Sequence, residues 1–206
     1  MPLPTPTNRA LQHTRRVICE GYKRTDELWD IEAHLIDTKT FHMKEYKDRD
    51  NGMIAAGEPL HGMSIRITVD MELNILDAVA SMDYTPFDCC KPITEAYKKL
   101  IGLQIAGGFT RKTRELFSGI NGCTHLLELL GPLATTAFQA THQERELLEN
   151  FWQDGHLPPP MLNTCHTMAS DGPVVKEYWP HFHDENELQL IETKTIEEND
   201  NSGQVA

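Results

Sequence analysis

Between Leu28 and Thr38 the apolar residues Trp29, Ile31, Ala33 and Leu35 alternate with Asp30, Glu32 and His34. A period of two marks a half-buried strand. With Arg15–Arg24 before it and Thr25-Asp26-Glu27 as the turn, this predicts a hairpin. The same alternation returns at Met63, Ile65, Ile67 and Val69 against Ser64, Arg66 and Thr68, and Asp70-Met71-Glu72 turns the chain into a fourth strand, Leu73–Ala80. Hairpins joined in this order predict a mainly antiparallel four-stranded sheet.

From Pro92 onward the period changes. Ile93, Tyr97, Leu100 and Ile101 have helical spacing, Lys112–Phe117 follows the Gly107-Gly108 break as a short helix, and a longer helix starts near Thr124. In that helix Leu126, Leu129, Leu130, Leu133 and Ala137 share a face, and Gly131-Pro132 is expected to kink or divide it. Gly155 and Pro158-Pro159-Pro160 end it. A short element around Met161–Met168 and the turn Asp171-Gly172-Pro173 lead to a last apolar segment with Val174, Val175, Tyr178 and Trp179. The expected class is α+β, a four-stranded sheet followed by packed helices.

Composition sets the domain plan. A chain of 206 residues, 39% hydrophobic and 24% charged, has the make-up of one folded domain. We expect a flexible segment over 1–12, a single α+β domain over 13–183 and a disordered acidic tail over 184–206. The tail holds seven acids against Lys194 and so carries half of the net charge of −12. An acidic body repels phosphate backbones, which argues against nucleic acid as a partner. The N-terminus has no apolar core segment and no stretch has transmembrane length, so export and membrane insertion are disfavoured and a cytoplasmic location is expected. Five cysteines in a reducing compartment predict free thiols.

Chemistry concentrates where cysteine and histidine stand together. Cys123 follows Gly122 at the expected mouth of the long helix, where free amides favour a thiolate. A Cys123/His125 dyad is disfavoured on a helix, because residues two apart point to nearly opposite sides and meet only in extended backbone. A base for Cys123 would then come from His61 or His166. Cys89, Cys90, Cys123, His125, Cys165 and His166 lie in three expected loop or helix-end regions that would converge on zinc, iron or an iron–sulfur cluster. Their spacing is not that of a zinc finger or a ferredoxin. His181-x-His183 stays outside this set as an adventitious site, and Glu58 with His61 forms a candidate acid/base pair in a loop.

The phrases HTRRVICEGYKR, LWDIEAHLIDTK, GEPLHGMSIRITVD and GCTHLLELLGPLATTAFQ, with the late Cys165, resemble a bacterial family known as domain of unknown function 2889. The resemblance runs from His13 to Trp179 and implies no established reaction. More distantly, the chain is similar to iron–sulfur cluster assembly scaffolds, which implies counterparts at Cys89 or Cys90, Cys123 and Cys165. It departs from them in placing its first cysteine after the sheet strands.

Three readings follow. The first is a non-catalytic accessory protein that binds a metal or iron–sulfur species through these Cys and His residues. The second is a small-molecule-binding or cysteine-dependent catalytic domain. The third is a self-associating module in which Trp29, Tyr22 and apolar helix surfaces build a homo-oligomer.

Overall fold

In the computed structural model the apolar half of the alternating pattern faces the helices. The structure describes residues 3–44, 46–49, 52–149 and 161–184. Strands β1 (His13–Lys23), β2 (Trp29–Lys39), β5 (Pro59–Val69) and β6 (Ile75–Tyr84) form a four-stranded antiparallel sheet in the order β1-β2-β5-β6. Two-residue strands β3 (Met43–Lys44) and β4 (Met53–Ile54) make a separate small ribbon, too short to leave a period in the sequence. The α+β class is as expected.

The strands extend beyond the expected limits. Pairing carries β5 back to Pro59, so His61 lies in a strand and not in a loop. Across the sheet, Ile31 and Ala33 of β2 stand opposite Ile67 and Ile65 of β5, all fully or almost fully buried. Burying an aliphatic side chain of this size stabilises by about 1.5–3 kcal/mol, so these rows hold the sheet to its cover.

The cover comes from a 3-10 segment (Asp88–Leu100), helix α1 (Phe109–Phe117) and helix α2 (Thr124–Glu149). Leu126, Leu129, Leu130, Leu133 and Ala137 are all buried, which is the face their spacing predicted. α2 runs unbroken through Pro132, so Gly131-Pro132 does not divide it. It crosses β1 at Gly21, where a Cβ would stand 2.5 Å from the Ala140 Cβ. Only glycine admits the helix that close.

Trp29 is buried in this core and is not a surface residue for self-association, whereas Tyr22 is exposed. All five cysteines are free thiols. Among the described residues no helix is long and apolar enough to cross a membrane.

The chain divides into two compact units, Met1–His142 and Gln143–Ala206. Sheet, α1 and the apolar face of α2 belong to the first. In the second, a 3-10 turn (His166–Met168) precedes helix α3 (Pro173–Tyr178), with Pro173 at its first position after the Gly172 turn. Val175, Trp179 and His183 are buried there, and Tyr178 is exposed. The expected helix stop at Gly155 and Pro158–Pro160, and the acidic tail beyond Asp184, lie outside the described residues.

Candidate metal centre

The apolar row of β2 ends on a carboxylate. Trp29, Ile31, Ala33 and Leu35 are followed, in the same phase, by Asp37, whose side chain is 1% exposed. Its cross-strand neighbours are Arg15 on β1 and His61 on β5, so three adjacent strands put a guanidinium, a carboxylate and an imidazole in one row. A register shift between Asp37 and Thr38 bulges the sheet beside it.

Burying a carboxylate is costly unless it is paired and hydrogen-bonded. Arg15 supplies two bonds, Nε to Oδ1 at 2.8 Å and a terminal nitrogen to Oδ2 at 2.7 Å. Its other terminal nitrogen reaches Glu128 on α2, tying the first turns of the helix to the sheet. His61 Nδ1 lies 3.1 Å from Oδ2, His125 Nε2 lies 3.8 Å from the same oxygen, and His13 Nε2 stands 3.4 Å from Oδ1. The His13 Nδ1 is buried without a hydrogen-bond partner. The His61 and His125 rings lie against each other, centroids 3.9 Å apart.

Burial pushes the Asp37 carboxyl up, but the Arg15 hydrogen bonds and charge, helped by His61, outweigh it and leave the group below its ordinary value. Both histidines are also lowered. Burial and the neighbouring His125 lower His61 despite its bond to Asp37, and burial and the Arg15 charge lower His125. At neutral pH these rings are therefore neutral, the form in which imidazole binds a metal.

His125 is delivered by the start of α2. Cys123 precedes the helix, and its carbonyl accepts the first helical bond from the Leu127 N–H at 2.9 Å. The Tyr97 hydroxyl clamps this residue: it accepts from the Cys123 N–H at 3.1 Å and donates to the Cys123 carbonyl at 2.9 Å. Tyr97 is fully buried and stacked on Phe117, and burial raises its pKa to about 12. Because Cys123 stands ahead of the helix, the helical rule that separates residues two apart does not apply. Its Sγ lies 3.8 Å from His125 Nδ1 and 3.8 Å from the Met63 Sδ. Gly122 is required at this approach, since a Cβ there would fall 2.3 Å from the Phe117 carbonyl oxygen.

Among the described residues the group of His, Cys, Asp and Glu whose ligand atoms all lie within 4.8 Å of one another is Asp37, His61 and His125. Of the six residues expected to ligate a metal, His125 is the member of this group. Cys123 adjoins it on the far side of the His125 ring. Cys90 is half-buried against the same core, and burial pushes its thiol up, while Cys89 is exposed. Cys165 and His166 are exposed in the second unit. Glu58 does not join His61: it accepts from the Ala55 N–H at 2.9 Å and closes a turn. Sequence reading missed Asp37, Arg15 and His13. The signal for Asp37 was a carboxylate in apolar phase at the end of a strand.

The family model described as "Protein of unknown function (DUF2889)" matches residues 13–139. The chain belongs to this family. The match covers every residue of the Asp37 cluster and of the Cys123 approach, and it stops short of Cys165. Neither the comparison with curated proteins nor that with solved structures gives a match, so the similarity to iron–sulfur scaffolds gains no support.

Proposed function

We propose that this chain is a metal-binding protein in which Asp37, His61 and His125 hold a divalent transition-metal ion. The observation that carries this reading is the convergence of two imidazoles on one buried carboxylate oxygen, at 3.1 and 3.8 Å. Ligands at about 2.0–2.2 Å from a tetrahedral ion stand roughly 3.3–3.6 Å apart, so small side-chain movements fit one in. The ion takes the place of the proton between His61 and Asp37, which moves to the other nitrogen of the His61 ring, so binding to neutral rings and an ionised carboxylate releases no net proton. Two imidazoles and a carboxylate suit zinc or iron(II), with a coordination position left for water or another ligand. Arg15 orients the carboxylate from behind and withdraws part of its charge.

Titration of the metal-stripped chain with Zn(II), or with Co(II) as a coloured probe, tests the proposal. A single equivalent bound, with the affinity lost in His61→Asn, supports it. Equal binding by the wild type and His61→Asn, or no retained ion, overturns it.

A specific observation also favours a second reading, a cysteine-dependent catalyst. Cys123 Sγ, both nitrogens of His125 and Asp37 form a relay with 3.8 Å at each step. In that arrangement His125 accepts the thiol proton and Asp37 orients the ring. Alkylation of Cys123 separates the readings in metal-stripped protein: a relay makes Cys123 faster than Cys19 and loses that advantage in His125→Asn. A Cys123 slower than Cys19 excludes the catalyst.

A further inference from the structure

His125 offers one ring nitrogen to each side, and the two sides differ in chemistry. Toward Nε2 lie the oxygen of Asp37 and the nitrogen of His61. Toward Nδ1 lie the sulfurs of Cys123 and Met63, each 3.8 Å from its neighbour in the chain Nδ1–Sγ–Sδ. The pairing is built by the backbone: His61 and Met63 are alternate residues on the core-facing side of β5, and Cys123 and His125 flank the start of α2. Strand and helix thus each contribute to both sides.

We propose that Cys123, Met63 and the Nδ1 atom of His125 form a second cation site, selective for a soft monovalent ion of the copper(I) class. A thiol and a thioether are the ligands such ions prefer over carboxylate and water. The single Cys123 thiol proton faces two acceptors, Met63 Sδ and His125 Nδ1, and a cation that replaces this proton bonds Sγ with either or both of them as neighbours. At a metal–sulfur distance of about 2.3 Å, two sulfurs 3.8 Å apart subtend an angle of about 110° at the ion. The balance is simple: the thiol releases its proton, sulfur bonds the ion, and no electron moves. His125 then directs its Nε2–H toward the Asp37 carboxylate, the outer hydrogen bond that fixes a ligating ring. Met63 is 2% exposed, so the ion enters past the half-buried Cys123 and His125.

The test is anaerobic titration of the metal-stripped full chain with Cu(I) against a coloured Cu(I) chelator, repeated with Ag(I) as a redox-inert probe. The expected result is a single equivalent held by the wild type. Cys123→Ser and Met63→Leu should each weaken it by more than the roughly 10–100-fold that loss of an outer-shell partner costs. Met63→Leu preserves apolar volume and so keeps the fold, which its unfolding transition verifies. His61→Asn should hold Cu(I) as the wild type does while losing Zn(II), so failure of this site and failure of the Asp37–His61–His125 site are read separately. Wild-type affinity in both Cys123→Ser and Met63→Leu would put the ion on other thiols and overturn the proposal. So would loss of Cu(I) in His61→Asn, or no retention by the wild type.

Discussion

Asp37 and Glu32 share strand β2 but point to opposite faces, and each has a histidine and an arginine for company. On the open face, His34 Nδ1 meets the Ser64 hydroxyl at 2.8 Å, while Glu32 stands 3.4 Å from His34 and 3.6 Å from Arg66, with all the charged side chains at least a quarter exposed. On the covered face, Asp37 is held at 2.7–2.8 Å by Arg15 and is sealed from water. The residue types are alike and the solvent is not. Water competes for every bond around Glu32 and screens its charges, so that network resembles an ordinary sheet surface. Around Asp37 the protein is the solvent, and the same groups acquire shifted protonation and a fixed geometry.

The largest effect should come from Asp37→Ala. It strands Arg15 and two half-buried histidines without their acceptor, and breaking a buried pair costs about 3–5 kcal/mol. Arg15 is 35% exposed and recovers part of that from water, so a loss of about 2–3 kcal/mol is expected in urea unfolding. The substitution should also abolish Zn(II) binding. A loss below about 1 kcal/mol would put Asp37 in the same category as a surface ion pair.

Next in size is Gly122→Ala. The new methyl meets backbone, the Phe117 carbonyl oxygen at 2.3 Å, and cannot be relieved by a side-chain rotation. Overpacking of this kind costs about 1–3 kcal/mol. Because Gly122 abuts the residue clamped by Tyr97, the shift should move Cys123 and His125 together and weaken both Zn(II) and Cu(I) binding. Unchanged metal affinity in a destabilised variant would show that the start of α2 holds its place without this approach.

Acid should separate the faces again. His61 and His125 are lowered from 6.5, so the unfolded chain takes up their protons first; their contribution is fully present above 6.5 and declines as pH falls through the folded values. Asp37 is lowered from 3.8, and its contribution is likewise kept above that value and lost as pH falls through the folded one. Both act in the same direction. Melting temperatures of the metal-stripped chain from about pH 8 to about pH 5 should fall, and the fall should be shallower in His61→Asn. A flat profile would mean that the rings bind protons equally in both states.

Sheet and helix faces were legible because their signal is local and periodic: Trp29 to Leu35 and Leu126 to Ala137 each repeat a pattern that the core then uses. The centre was less legible, because its members meet through pairing. His61 was assigned to a loop beside Glu58, since the apolar alternation becomes visible only at Met63. Arg15 was placed only as the first residue of an expected strand, and its partner follows from the pairing that sets it opposite Asp37. Asp37 could have been found by continuing the β2 alternation one step past Leu35. No local pattern connects residue 37 to residue 125. That contact follows from the antiparallel order and from where Gly122 lets the helix begin.

The smallest effect should be that of Glu32→Gln on the open face. Its partners Arg66 and His34 are 49% and 40% exposed, and the distances of 3.6 and 3.4 Å are long for charged pairs. Exposed pairs of this type contribute about 0.2–1 kcal/mol, and the amide retains the size of the carboxylate and can still accept a bond. A change within about 0.5 kcal/mol in urea unfolding is therefore expected, with Zn(II) and Cu(I) affinities untouched. Raising the salt concentration should shrink even this difference, because the charges lie in water. If Glu32→Gln instead destabilised the chain as much as Asp37→Ala, burial would not be what distinguishes the two faces, and the open-face network would have to be covered in solution by another surface.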